Sequence, residues 1–155
     1  MPFEKMIVNR FIKKHLTLSI AESCTGGLLS HRLTNIPGSS KVLKASLVAY
    51  SNEAKTKMLK VPASLIKKYG AVSSAVAIAM AKGARKIFKT DFGVAITGIA
   101  GPTGATHNKP IGLTLIAIAT AQKIACQRFI FKGTRLQIKI RAAKKTLKLL
   151  DDLTA

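Results

Sequence analysis

The residues that could do chemistry gather near the start of the chain. Ala21-Glu22-Ser23-Cys24-Thr25-Gly26-Gly27 sets a hydroxyl, a thiol, a second hydroxyl and two glycines in a row, directly after the apolar-leaning run Leu16–Ala21. Such a stretch fits a nucleophile site, a phosphate cradle or a plain strand-to-helix turn. A serine hydroxyl is a poor nucleophile until a neighbouring base takes its proton. Cys24 is intrinsically more nucleophilic, and a helix N-terminus lowers a thiol pKa. Adjacent side chains point differently, so only one of the two can face a site, and residue chemistry alone does not choose between them.

Two further loops carry unusual residues, Tyr50–Lys55 and Thr97–Gly104. Each has an ordinary reading: Ser23 as a helix N-cap, Lys55 as a solvated lysine, Gly98-Ile99-Ala100-Gly101 as a turn. The last is not the GxGxxG fingerprint and no GxxxxGK[ST] loop exists, so neither NAD nor ATP binding has support. The six acids show no pair with a glycosidase-like or metal-binding arrangement. His15, His31 and His107 fall in a helix end, a helix face and a loop, with no GxSxG elbow beside them. Cys24 and Cys126 lie far apart without a CxxC pair, which argues against a zinc site and a disulfide framework. No metal or organic cofactor is implied.

The elements that must position these residues follow from length, composition and periodicity. One domain over residues 1–155 is the default, because 48% apolar residues supply a core for a chain of 155. No stretch reaches the roughly 20 continuous apolar residues of a membrane span, and the N-terminus has no secretory pattern, so a cytoplasmic location is expected. The charge is extreme, 26 Lys and Arg against 6 Asp and Glu. These cations scatter over helix surfaces without an RNA- or DNA-binding motif, so nucleic acid is an unfavoured partner, although the positive field attracts small anions.

Apolar spacing predicts helices opening at Phe3, over Gly26–Asn35, after a cap at Ser73 or Ser74, and at the end through Leu136, Ile140, Ala143, Leu147 and Leu150. Strands are predicted at Leu16–Ala21, Val42–Tyr50, Phe92–Thr97, Leu113–Ala121 and Ile124–Phe131. Strands and helices alternate early, giving parallel pairing, and the last two strands form a hairpin. The expectation is an α/β fold, a mixed sheet of about five strands layered between helices, with ligands bound in loops beyond the strand ends.

Five motifs occur in register: the Ala21–Gly27 stretch, Pro37-Gly38-Ser39-Ser40, Val48–Lys55, Gly70-Ala71-Val72-Ser73 and Thr97–Pro102. Their order and spacing resemble the CinA C-terminal family, over about residues 3 to 150. The resemblance implies a three-layer α/β/α sandwich. Stand-alone members act as nicotinamide-nucleotide amidases, converting nicotinamide mononucleotide (NMN) to nicotinic acid mononucleotide and ammonia in pyridine-nucleotide recycling. Larger members carry an additional N-terminal domain, which is not expected in a chain of this length. By resemblance the nucleophile falls on Ser23 and its base on Lys55, with Tyr50 assisting. Ser40 and Thr97 fall around the substrate with Gly98, and Arg135 near the phosphate. Gly26 and Gly27 would let the backbone approach a ligand at a helix N-terminus. Other readings are a catalytically silent module of the same family in competence or DNA-damage responses, and a basic nucleic-acid-binding protein. A homo-oligomer, most simply a dimer, is expected.

Two positions depart from the family pattern. Ala105 replaces a glycine in Gly101–Thr106, which costs energy only if that backbone needs positive φ. Thr134 replaces an acid in Gly133-Thr134-Arg135.

Overall fold

A computed structural model describes all 155 residues. In chain order the elements are α1 (Phe3–Lys13), β1 (Leu18–Glu22), α2 (Leu28–Thr34), a 3-10 turn (Ser39–Lys41), β2 (Leu43–Val48), α3 (Asn52–Leu59) and α4 (Ala63–Tyr69). They continue with α5 (Ser74–Phe88), β3 (Phe92–Gly98), β4 (Leu113–Ala119), β5 (Ile124–Ile130) and α6 (Arg135–Thr154). One open sheet runs β2-β1-β3-β4-β5. Strands β1, β2 and β3 are parallel, and β4 and β5 pair antiparallel as the hairpin.

Strand alternation sends side chains to two cores. Leu18, Ile20, Val94, Ile96, Ile116 and Ile118 pack against α1, α2 and α6 through residues such as Phe11, Leu33 and Leu147. On the other face the sheet presents small side chains, Ala21, Ala95, Ala117 and Ala119, and receives α3, α4 and α5. Small residues let α5 approach closely: a Cβ on Gly93 would lie 2.2 Å from the Ala81 carbonyl oxygen. Each fully buried Leu, Ile or Phe contributes about 1.5–3 kcal/mol, so packing on both faces holds the sheet between the helices and fixes where its strand ends lie.

The structure differs from the sequence expectation in the middle of the chain. Tyr50–Lys55 is not a loop throughout, since α3 begins at Asn52 and α4 follows without a strand between them. Both helices are short, so neither gives a sustained apolar period. What starts α3 is a local cap, with Ser51 Oγ accepting from the Ala54 N–H at 3.0 Å.

Candidate functional site

The parallel strands all end on one side, and two main-chain bonds set what meets there. Ser23 N–H donates to the Ile96 carbonyl of β3 at 3.0 Å, and Ala49 N–H donates to the Glu22 carbonyl of β1 at 2.9 Å. The turn after β1 is thereby stitched to β3, and the segment after β2 to β1. The cap at Ser51 then starts α3 so that Lys55, in its first turn, points back under the turn rather than into solvent.

The result is a close polar contact. Lys55 Nζ lies 2.9 Å from Ser23 Oγ, 2.9 Å from the Ala49 carbonyl oxygen and 3.1 Å from the Tyr50 carbonyl oxygen. Lys55 is 1% exposed and takes part in none of the ion pairs. Burial holds its pKa below the ordinary lysine value. The cause is desolvation, not the cationic background of the chain. A neutral amine keeps two N–H bonds and one lone pair. As an ammonium Lys55 donates to Ser23 Oγ; once neutral, with its two N–H bonds on the carbonyls, it would turn the lone pair to the Ser23 hydroxyl proton.

Cys24 has the opposite character. Its thiol pKa is pushed up to about 11, by burial above all, with the Glu22 charge adding to it. At neutral pH it is a thiol, not a thiolate, and Lys55 hydrogen-bonds its neighbour instead. Cys24→Ser should therefore retain most of any activity of this site, as a steady-state rate would show.

A cavity of about 250 Å³ opens over the pair, lined among others by Ser23, Cys24, Tyr50, Thr97, Gly98 and Arg135. Thr97 Oγ1 donates to the Ala71 carbonyl at 2.9 Å, tying the loop before α5 to this edge. Arg135 forms the rim, donating through Nη1 to the Gly101 carbonyl at 2.7 Å and through Nη2 to the Tyr50 hydroxyl at 2.9 Å. Tyr50 is 57% exposed; its carbonyl reaches the lysine while its phenol meets the arginine. Gly98 is required by packing, because a Cβ there would lie 2.7 Å from the Leu113 carbonyl oxygen and 3.2 Å from Cys24 Sγ. A larger cavity, about 350 Å³, lies between α5 and the β4–β5 turn. It is lined by Lys82, Arg85, Lys86 and Lys123 and holds no nucleophile with a base.

Three expected substrate-binding residues lie elsewhere. Ser40 sits in the 3-10 turn before β2, at the amino ends of the parallel strands and so across the sheet from Lys55. Gly26 and Gly27 are absent from the cavity lining. They form the turn itself, with φ of +60° and +98°, values that favour glycine. The helix start they precede is not open to an anion: the Leu29 and Ser30 N–H groups already donate to the Glu22 carboxylate at 2.9 and 3.1 Å.

Glu22 is the residue that sequence reasoning missed, although a signal existed, an acid closing an apolar-leaning strand. The other five acids also have structural duties. Glu4, Glu53, Asp151 and Asp152 pair with Arg32, Lys57, Arg10 and Lys148, and Asp91 accepts from the Thr17 N–H and hydroxyl, each at 2.8 Å. No group of three or more His, Cys, Asp or Glu comes together that could hold a metal ion. No helix is long and apolar enough to cross a membrane.

Both departures from the family pattern have physical explanations. Ala105 is not among the residues with positive φ, so its Cβ brings no backbone strain. Thr134 is the N-cap of α6, accepting from the Gln137 N–H while the Gln137 side chain accepts from the Thr134 N–H. Asp and Thr both cap helices well, so the exchange keeps the helix start beside Arg135.

Fold and site together define an open α/β protein that presents a serine and a buried lysine in hydrogen-bond contact at the carboxyl ends of parallel strands. The chain belongs to the CinA C-terminal domain family, whose model matches residues 1–154. It is 48% identical over 147 residues to a CinA-like protein of Dictyoglomus turgidum, covering 95% of this chain and 36% of that protein. With a CinA-like protein of Gemmatimonas aurantiaca it shares 46% over 142 residues, 92% of this chain and 33% of that protein. The chain thus spans about a third of the length of the curated relatives it matches. Among solved structures, the competence/damage inducible protein CihA from Agrobacterium tumefaciens superposes with a TM-score of 0.96 at 36% identity, covering 99% of this chain and 94% of that one. A CinA superfamily protein from Escherichia coli gives 0.94 at 32% identity, with 97% and 88% covered.

Proposed function

We propose that the chain is a nicotinamide-nucleotide amidase domain that hydrolyses the carboxamide of NMN to nicotinic acid mononucleotide and ammonia. The observation that carries the reading is the contact of the Lys55 amine with Ser23 Oγ at 2.9 Å in a site where the lysine is almost completely buried. The substrate follows from the family resemblance, and the arginine at the cavity rim suits its phosphate.

In the proposed reaction neutral Lys55 takes the hydroxyl proton as Ser23 Oγ bonds to the carboxamide carbon. The carbonyl oxygen gains negative charge as its double bond opens. The Cys24 N–H, which donates to no main-chain carbonyl and directly follows Ser23, is the proposed donor to that charge. Collapse breaks the C–N bond, and Lys55 returns the proton to the departing ammonia. Water then attacks the acyl-serine with Lys55 again as base, releasing the carboxylate and restoring Ser23. The direct test incubates the purified protein with NMN and follows both products; no conversion across a range of pH would refute the reading.

Arg135 gives a substrate-level prediction. Its guanidinium is oriented by Gly101 and Tyr50 and keeps N–H groups free for a phosphate. A charge-assisted contact of this kind is worth about 1.5–3 kcal/mol, or roughly 10- to 150-fold in kcat/KM. NMN should therefore exceed its unphosphorylated riboside by at least that factor. Arg135→Ala should lower NMN turnover while barely changing the riboside. Equal losses for both would move Arg135 from the phosphate to the shape of the cavity rim.

A further inference from the structure

Glu22 stands one residue before the proposed nucleophile, is fully buried, and joins none of the ion pairs. Burying a carboxylate is costly unless hydrogen bonds replace its water, and here every contact is a donor. One oxygen accepts from Thr25 Oγ1 at 2.7 Å and from the Leu29 N–H at 2.9 Å. The other accepts from the Ser30 N–H at 3.1 Å and from the Ser30 hydroxyl, which itself contacts Ser46 Oγ of β2.

Helix starts are usually capped by a short side chain at the N-cap. The residue at the start of α2 is Gly27, which has none. The cap comes instead from the last residue of β1, across the turn that carries Ser23. Within that turn the main chain makes few bonds of its own, Gly26 N–H to the Ser23 carbonyl and Leu28 N–H to the Thr25 carbonyl, each 3.1 Å. Two successive glycines at positive φ give it little stiffness. The Glu22 carboxylate is the side chain that ties its two ends directly together.

We propose that Glu22 is the positioning residue of the serine–lysine pair, its carboxylate clamping the end of β1 to the first turn of α2 so that Ser23 Oγ is aimed at Lys55 Nζ. The inference rests on the reading of Ser23 as nucleophile. It deepens that reading by assigning the geometry to a residue that touches neither substrate nor base. Glutamine has the same length but presents an NH₂ group where one carboxylate oxygen accepts two donors, so Glu22→Gln should loosen one side of the clamp. A misplacement of about 1 Å costs on the order of 100-fold in rate.

The test follows covalent labelling of Ser23 by a sulfonyl fluoride, read by mass spectrometry in the full chain, with Ser23→Ala as the control and thermal melting to count folded protein. Native protein should label at Ser23, and Glu22→Gln should label about 100-fold more slowly per folded molecule. Its kcat on NMN should fall in parallel while KM stays within about 3-fold, the split expected when orientation rather than binding is lost. If Glu22→Gln does not fold, Ser30→Ala carries the test, because it removes one of the four donors and leaves the charge; a labelling loss of about 5-fold is then expected. Labelling of either folded variant at the native rate would overturn the role of Glu22. If native protein labels nowhere at Ser23, the nucleophile reading falls, and this inference with it.

Discussion

Ser23→Ala should abolish NMN hydrolysis, with a fall in kcat of roughly 10⁴-fold or more, while thermal melting stays near that of the native protein. The size follows from removing the atom that forms the covalent bond, a loss that binding and oxyanion contacts cannot replace. The fold should tolerate it because Ser23 is held by its main-chain N–H to Ile96, 3.0 Å away, and its hydroxyl contacts only Lys55. Deleting that hydroxyl leaves the amine with its two carbonyl acceptors. A measured kcat within 10-fold of native in Ser23→Ala would remove the serine from the chemistry and return attention to Cys24.

Lys55→Arg should be nearly as inactive, for a different reason. Guanidinium stays protonated at all accessible pH, so it can donate to Ser23 but cannot accept its proton. In the native protein kcat/KM should rise with pH through one apparent pKa below the roughly 10.4 of a free lysine, because burial favours the neutral amine. The same shift sets a stability trend. Between the lowered folded pKa and the ordinary unfolded one, the unfolded chain binds more protons, so stability climbs as pH rises through that window. Below the folded pKa the penalty of burying the charge is fully present. Lys55→Met should lack both the activity and this contribution to the pH slope of stability, measurable by urea titration at several pH values. An active arginine variant with a flat rate profile would assign the proton transfer to another group.

Other features of the site depend on small local choices. Thr134 keeps the start of α6 capped where the family pattern has an acid, so Arg135 stays at the rim. Ala105 meets no positive-φ requirement. An anion at the start of α2 would have to displace Glu22 from Leu29 and Ser30, so under the proposed function the substrate phosphate is expected at Arg135 or elsewhere on the cavity wall.

The sequence by itself determined the layering. β3 and β4 are near-continuous apolar runs, as strands buried on both faces are, and apolar residues recur at helical spacing in α1, α5 and α6, so helices must cover both sides of the sheet. It also determined the order of the loops, and the family resemblance of its motifs singled out Ser23 and Lys55, two side chains that the fold brings into contact. Only the tertiary structure decided the rest. It put Ser40 at the far end of the parallel strands, since a residue before a strand and one after it lie a strand length apart. It made α3 and α4 helices, whose two short turns carry too little periodicity to be read alone. It also set the protonation chemistry of the site. Whether a lysine is a solvated cation or a base, and whether a glutamate is a surface charge or a buried clamp, depends on how much water and how many donors the packed chain leaves around it, and neither is written in the residue or its neighbours.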